Sequence, residues 1–434
     1  MSTRAASSIV EPAQINGAAA PPHADTSREV SRRSMQGLDW LVFFVADIQT
    51  GFGAFVSVFL TTQKWTQGDI GLVLTASAVV SLVGQIPCGA LVDSARSLRL
   101  TAALALVAIG ACAAAFAAWP IFLVALVSRM VHAAASTVLG LALVSISLGV
   151  VGQSGMSERL GRNAAFASAG TGVAAAVMGA CGYYLSNRAV FFIAGALALP
   201  AIFALSRIRG DEIGPASDAV RGAPINPRAL ATGLVEIARN RSLLLFALCI
   251  VIFHLANAAM LPLAASMLTL HSSQAATLMV AAALVVPQFT VTVLSPWVGR
   301  TAHRWGRKPL LLLGFGALAL RGFLFASITE PHWLVVVQVL DGVSAATLGV
   351  LTPLTIVDLT REHGRFNLAQ GAIGCAMSIG AAVSTTLSGY MTDVFGSHAA
   401  FTMLTALAAM GFVVLTFAMP ETKPGAGRAA SRPT

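Results

Sequence analysis

Long apolar runs alternate with short polar segments from about residue 38 to about residue 419. A helix needs roughly 20 apolar residues to cross the hydrocarbon core of a bilayer, and twelve runs come close to or exceed that length. We place these runs at about 38–62, 70–92, 99–118, 121–147, 165–185, 189–207, 243–267, 276–298, 309–328, 333–357, 368–390 and 399–419. The pattern therefore predicts an all-α membrane protein with twelve transmembrane helices.

One polar stretch divides these spans six and six. Residues 208–242 carry several charges and three prolines, which is typical of a cytoplasmic linker. The first 36 residues are rich in Ala, Ser, Pro and Arg and lack the apolar core of a signal peptide, so we expect a disordered cytoplasmic leader. The predicted units are a leader 1–36, a six-helix bundle 37–207, a linker 208–242, a second six-helix bundle 243–420 and a cytoplasmic tail 421–434.

The composition agrees with membrane burial. Hydrophobic residues make up 56% of the chain and charged residues 10%, whereas a soluble domain carries roughly a quarter charged residues. With the N-terminus in the cytoplasm, 23 of the 27 Lys and Arg residues fall in cytoplasmic segments, and only Lys64 and Arg188 fall in outer loops. The positive-inside rule then places both termini in the cytoplasm of a multi-pass protein of a bacterial inner membrane. The net charge of +9 is explained by topology, and we predict no nucleic-acid partner.

The two halves also resemble each other. The segment Arg129-Met-Val-His132 of span 4 matches Gln338-Val-Leu-Asp341 of span 10, and both are followed by Leu-Gly at the same spacing. The Gly-Arg pair at 161–162 likewise matches the pair at 364–365. Repeated halves with a binding site between them are typical of alternating-access transporters. We therefore predict two pseudo-symmetric six-helix bundles.

Two loops then resemble a known family signature, G-x-L-A-D-R-x-G-R-K. They are the segment 89–99 after span 2 and the segment 299–310 after span 8, and the Pro-Glu-Thr-Lys at 420–423 is similar to the family's usual close of the twelfth span. On these residues the chain resembles the major facilitator superfamily over about 37–423. The first copy keeps Asp93 but lacks the Gly-Arg-Lys core, and the second keeps that core but has His303 in place of Asp.

The resemblance implies a gating role for these loops. In the family the carboxylate lies against a neighbouring helix N-terminus and the basic residues pair with carboxylates. The gating residues carried over are Gly89, Asp93, Arg96, Gly299, Arg304, Gly306, Arg307 and Lys308. The alternative for residues 304–308 is that they only anchor to anionic headgroups.

Ionisable residues inside the spans are candidates for a transport site, because each is costly in a bilayer. On spans 1, 4, 7 and 10, which line the central cavity in the resembled family, these residues are Asp47, Arg129, His132, His254 and Asp341. Uncharged companions are Gln49, Asn257, Gln288 and Gln338. Arg321 lies on the peripheral span 9, where we expect it to extend towards the membrane surface.

Several roles remain open for these groups. Asp47 and Asp341 are candidate proton carriers, since a carboxylate is costly in a low-dielectric cavity. Arg129 could hold an anionic substrate, or it could form a structural ion pair with Asp47 or Asp341. His132 and His254 could relay protons or form interhelical hydrogen bonds. Two histidines on separate spans are a weak signal for a metal, and we predict none.

The favoured function is proton-coupled secondary transport of a small organic solute. The fourth-span motif of proton-coupled drug exporters is partly matched by Ala125-x-x-x-Arg129-x-x-His132-Ala133. On this resemblance a drug or metabolite exporter is favoured. The proline motif of the exporters' fifth span is absent. The alternatives are an uptake permease for a small organic anion or siderophore-like compound, and a non-transporting receptor or sensor. Phosphate-binding and hydrolase motifs are absent, so we predict no enzyme activity and no cofactor, with the proton gradient as energy source. We expect a monomer.

Overall fold

The fold is seen in a computed structural model, which describes residues 31–51, 55–65, 67–213, 227–264, 273–328, 330–361 and 366–423. Over these residues the secondary structure is helical, without a β-strand. The spans are span 1, Arg32–Gly51 with Phe55–Thr62; span 2, Gln67–Ser94; span 3, Leu98–Ala118; spans 4 and 5, joined in Phe122–Tyr184; span 6, Asn187–Ala196 with Ala198–Arg207; span 7, Arg241–Asn257; span 8, Ser273–Trp305; span 9, Lys308–Ser327; span 10, Pro331–Thr360; and spans 11 and 12, joined in Phe366–Ala418.

Length and hydropathy identify nine helices within the described residues as able to cross a membrane. Two of the nine are double, because a glycine with positive φ separates their spans: Gly152 (φ 66°) between spans 4 and 5, and Gly396 (φ 85°) between spans 11 and 12. Span 1 supplies the twelfth, since its helices lie on both sides of residues 52–54. The predicted all-α fold with twelve transmembrane helices is confirmed.

The gap between the apolar runs 121–147 and 165–185 predicts a loop over 148–164, and this prediction is wrong. Span 4 continues to the glycine at 152, and span 5 begins immediately after it. The polar residues that indicated a loop, Arg159 and Asn163, are buried in the helix and bonded to other buried groups. Polar residues that pair inside a protein are compatible with a continuous helix.

Other differences lie at the predicted unit boundaries. The first helix begins at Arg32, inside the predicted leader 1–36, whose residues 1–30 lie outside the described part. Pro227–Arg239, within the predicted linker, is a helix, while 214–226 are not described. Residues 424–434 of the predicted tail are also outside the description.

Each half of the protein is built around apolar cores of its own. One cluster is built mainly from residues 243–419, and two others lie entirely in the first half. Met156 and Leu160 of span 5 pack into the core of the second half. Both residues lie near the end of the bundle at which span 1 begins. This end also carries Arg96, Arg162 and Arg307, and we call it the basic end.

A buried charge cluster joins spans 1 and 5 at the basic end. The carboxylate of Asp39 accepts from Arg159 at 2.6 Å and from Arg162 at 2.6 Å. The Arg159 side chain is fully buried and also donates to Asn163, which in turn donates to Ser147 of span 4. The cluster therefore fastens three spans of the first half to one another.

Replacing Asp39 by Ala is expected to destabilise the protein strongly. The substitution leaves the fully buried Arg159 without its carboxylate, which costs about 3–5 kcal/mol. Arg162→Gln removes the partner whose side chain is 52% exposed, so its expected cost is below about 1 kcal/mol. Thermal unfolding of the detergent-solubilised protein measures both. Equal losses in the two variants would contradict this assignment.

Candidate functional site

A cavity of about 650 Å³ lies between the two halves. Spans 1, 2 and 4 line it from the first half, and spans 7, 10 and 11 line it from the second. The polar lining residues are Gln49, Gln85, Ser136, Thr137, His254, Asn257, Thr352, Gln370 and Ser378. The rest of the lining is apolar or glycine, and no Asp, Glu, Lys or Arg of the described chain lines this cavity. The cavity can therefore offer amides, hydroxyls and one imidazole to a ligand, surrounded by apolar surface.

Three of the predicted site residues, Gln49, His254 and Asn257, line the cavity. The predicted charged residues Asp47, Arg129 and Asp341 are not among the residues that line it. Asp47 is only 4% exposed, two residues before Gln49, and its Oδ1 has no hydrogen-bond partner in the described part of the chain. An unpartnered buried carboxyl oxygen is costly, so this group is placed for a change of protonation or of partner.

Arg129 and His132 lie together on span 4. The Arg129 guanidinium donates to Ser77 Oγ of span 2 at 3.3 Å. His132 is buried, and its Nε2 lies 3.5 Å from the hydroxyl of Ser136, which lines the cavity. His132 therefore reaches the cavity through a neighbouring hydroxyl, one turn further along the same helix.

Asp341 pairs with Arg321, not with Arg129. Arg321 is 1% exposed, and its Nη1 donates to Asp341 Oδ1 at 2.6 Å and to Asn257 Oδ1 at 2.7 Å. The prediction that Arg321 extends to the membrane surface is therefore wrong. The carboxylate of the adjacent span 10 offsets the cost of burying the guanidinium inside the bundle. Through Asn257 this ion pair touches the cavity wall.

The remaining predicted polar residues do not line the cavity. Gln338 of span 10 is fully buried, and both polar atoms of its side chain lack a hydrogen-bond partner among the described residues. Gln288 of span 8 is partly buried, and its backbone carbonyl accepts from the Thr292 hydroxyl. A metal site is not built in the described part either, since no three His, Cys, Asp or Glu residues cluster there.

Asp93 joins the halves at the basic end. Its Oδ1 accepts from the backbone N–H of Asn367 at 3.2 Å and from Asn367 Nδ2 at 2.7 Å, and its Oδ2 accepts from the N–H of Leu368 at 3.0 Å. Asn367 also accepts from Ser145 of span 4 at 2.7 Å. We call these four residues the Asp93 lock. Because Asn367 and Leu368 form the first turn of span 11, the carboxylate caps a helix N-terminus of the other half.

Glycines allow the backbones to approach on both seams between the halves. A side chain at Gly89 would collide with the Asn367 carbonyl beside the lock. On the other seam, a Cβ at Gly299 of span 8 would collide with the Ser157 carbonyl and lie 3.1 Å from Gly161 Cα of span 5. The basic end is thus closed by direct helix contact.

The second copy of the signature acts within its own half. Arg307 Nε donates to Asp358 Oδ2 at 2.8 Å, and the N–H groups of Arg307 and Lys308 donate to Glu421 at 2.8 and 3.1 Å. Gly306 has φ 98° and lies directly against Glu421. The Arg304 carbonyl accepts from Lys423 at 3.0 Å. Arg307 could pair with a carboxylate or anchor to a lipid headgroup, and the geometry agrees with the first of these interpretations.

Sequence reasoning missed two carboxamides at the cavity floor. Gln85 of span 2 and Gln370 of span 11 line the cavity on its lock side, and Gln370 is three residues after Asn367. The Oε1 atom of Gln370 is buried without a partner in the described chain. Both are polar amides within predicted apolar runs, and that polarity is the sequence signal that marks them.

Comparison with known proteins identifies the family. The model of the Major Facilitator Superfamily matches residues 39–329 and 248–434. The chain is 40% identical over 414 residues to an uncharacterized MFS-type transporter of Mycobacterium tuberculosis, covering 93% of this chain and 97% of the relative. It is also 29% identical over 147 residues to multidrug resistance protein 1 of Bacillus subtilis, covering 32% of this chain and 36% of that protein.

A solved structure shows the same fold. The MFS transporter FucP in the outward conformation superposes with a TM-score of 0.71 at 16% sequence identity, covering 88% of this chain and 98% of that one. At this identity the likeness concerns the fold alone. Together with the two bundles and the cavity between them, the family match over residues 39–434 shows that this multi-pass membrane protein belongs to the Major Facilitator Superfamily of transporters and is not an enzyme.

Proposed function

We propose that the protein is a proton-coupled secondary transporter, with export favoured, for a small uncharged organic solute that is largely apolar and carries a few hydrogen-bonding groups. The observation that carries the proposal is the neutral lining of the cavity between the halves. An organic ion in this cavity would lose its hydration without meeting an opposite charge, at a cost of several kcal/mol. An uncharged solute of mixed polarity would meet amides, hydroxyls and apolar surface.

The closure of the basic end supports alternating access. The Asp93 lock and the two glycine seams lie between the cavity floor and this end of the bundle. If the basic end is cytoplasmic, as the positive-inside rule predicts, the structure corresponds to a state closed towards the cytoplasm. Release of the lock would let the two halves rock about the cavity and expose it to the other side.

Asp47 is the best-placed candidate for the proton carrier. It adjoins the cavity residue Gln49, and its Oδ1 accepts no hydrogen bond in the described chain. Asp341 is held by Arg321, whose guanidinium also donates to Asn257, and it is better suited to a structural or relaying role. Proton uptake and release at Asp47 would then accompany the change in exposure of the cavity.

The similarity to multidrug resistance protein 1 over about a third of the chain favours export. Uptake of a small organic anion is disfavoured, because no Lys or Arg of the described residues lines the cavity, and Arg129 donates to Ser77 instead. The remaining alternative, a receptor or sensor on the same scaffold, would bind a ligand without moving it.

A growth screen of an overexpressing strain across toxic compounds and sole nutrients tests the substrate class. We expect protection against uncharged, amphipathic toxic compounds, and we expect the protected compound to exchange across proteoliposomes that contain the purified protein. Protection confined to organic anions or permanent cations would contradict the neutral-cavity proposal. Ligand binding without exchange would favour the receptor.

Asp47→Asn is expected to abolish flux driven by a pH gradient while leaving substrate counterflow at no less than about half the wild-type rate. The amide keeps the size of the side chain but cannot exchange a proton, and counterflow needs no net proton movement. The matched control is Asp393→Asn, which changes an exposed aspartate and is expected to keep both activities. Gradient-driven flux that persists in Asp47→Asn would exclude Asp47 as the proton carrier.

Asp93→Ala is expected to open the basic end. The carboxylate accepts three hydrogen bonds, and hydrogen bonds to charged groups contribute about 1.5–3 kcal/mol each, so at least a tenfold shift towards the open form is expected. In a chain whose five native cysteines are replaced, a cysteine at the cavity position Thr352 would react at least tenfold faster with a membrane-impermeant thiol reagent supplied at the basic end. Asp211→Ala, at an exposed position of the same end, is the control. An unchanged rate would show that the lock does not control closure.

A further inference from the structure

A second groove, separate from the central cavity, lies at the basic end where spans 2, 3 and 4 meet. Its volume is about 410 Å³, and it shares no lining residue with the cavity between the halves. It runs from the turn between spans 2 and 3 along the outer face of span 3. Its two ends have different chemistry.

The end further from the turn is apolar and open to the surroundings of the bundle. Leu100 and Leu104 of span 3 lie four residues apart, on one face of the helix, and are 60% and 62% exposed. Val138 of span 4 lines the same part of the groove. In a chain that spans a bilayer, an exposed apolar strip of this kind faces lipid acyl chains.

The end at the turn can hold an anion. Arg96 is exposed, and in the described part of the chain its guanidinium has neither an ion-pair nor a hydrogen-bond partner. Ser97 is the N-cap of span 3, where its Oγ accepts from the Leu100 N–H at 3.3 Å, so its own O–H can still donate. A helix N-terminus also favours negative charge. The nearby carboxylate of Asp93, which would repel an anion, is engaged by Asn367 and Leu368.

We propose that this groove binds one anionic phospholipid, with the headgroup phosphate on Arg96 and Ser97 and an acyl chain along Leu100 and Leu104. Along the groove the cation of Arg96 is followed by the apolar strip, just as the headgroup of a lipid is followed by its acyl chains. The groove also lies at the basic end, where anionic headgroups are attracted. A soluble phosphate compound would use only the first part of the groove. Arg96, which the family signature places in the gating loop, thereby has a binding role outside the Asp93 lock.

The test is lipid binding to the full-length, delipidated protein in detergent, followed by native mass spectrometry, which resolves each bound lipid. We expect wild-type protein to bind palmitoyl-oleoyl phosphatidylglycerol more tightly than the phosphatidylcholine with the same chains. Arg96→Ala should weaken phosphatidylglycerol binding about fivefold and leave phosphatidylcholine binding unchanged. Arg300→Ala, which removes an exposed charge at the same end but outside the groove, should change neither.

Two further measurements separate a lipid from a free phosphate compound. Ala135→Phe places a ring in the apolar part of the groove and leaves the charge of Arg96 in place, and it should weaken phosphatidylglycerol binding. Glycerophosphoglycerol, the headgroup without acyl chains, should not bind measurably at concentrations that saturate the lipid. Equal phosphatidylglycerol affinity in wild type and Arg96→Ala would overturn the proposal. So would equal binding of the two lipids to wild type, or tight binding of the soluble headgroup.

Discussion

The carboxylate of Asp93 joins the two halves at the basic end, because it bonds a helix of the other half rather than a helix of its own half, and the closure that we propose for this end depends on it. It receives two backbone N–H groups and one side-chain amide from the first turn of span 11, and Asn367 carries the connection on to Ser145 of span 4. The positive end of a helix attracts a carboxylate over a short range only, so this stabilisation is lost once the helices separate. On the second seam the signature position that Asp93 occupies in the first copy is taken by His303, which is exposed, and the approach of Gly299 to Gly161 brings the helices together.

Unlike the Asp93 contact, the buried ion pairs among the described residues each lie within a single half. Arg159 pairs with Asp39 in the first half, and Arg307 and Arg321 pair with Asp358 and Asp341 in the second. Breaking a buried pair costs several kcal/mol, so a pair placed across the cavity would oppose any separation of the halves. With the pairs inside the halves and a neutral lining between them, each bundle can move as a unit. The arrangement on which we base the proposal of an uncharged solute is therefore also compatible with the rocking that we propose for the bundles.

Much of the fold could be predicted from sequence, because the length of an apolar run is a local property. The predictions fail where a polar residue is buried against a partner that is distant in the sequence. Residues 148–164 were expected to form a loop, but Arg159 is bonded to Asp39, more than a hundred positions earlier in the chain. Arg321 was expected at the membrane surface for the same reason, since its pairing with Asp341 depends on how spans 9 and 10 are rotated against each other. The position of Asp93 against a helix N-terminus is the arrangement that the family resemblance implied. Gln85 and Gln370 line the cavity on spans 2 and 11, and an amide in an apolar run does not show from sequence alone which face of its helix it occupies.

The central claim is that the two halves move against each other as units about a neutral cavity. Pulsed electron-electron distance measurements in lipid nanodiscs test it most directly, with one spin-label pair at the exposed positions Arg207 and Arg361 of the basic end and another at the exposed positions Phe122 and Trp333 of the opposite end. The account predicts two distance populations for each pair, and a change of pH should shift them in opposite senses, so that one end lengthens as the other shortens. A single distance at both ends that does not respond to pH, or changes of the same sense at both ends, would contradict it.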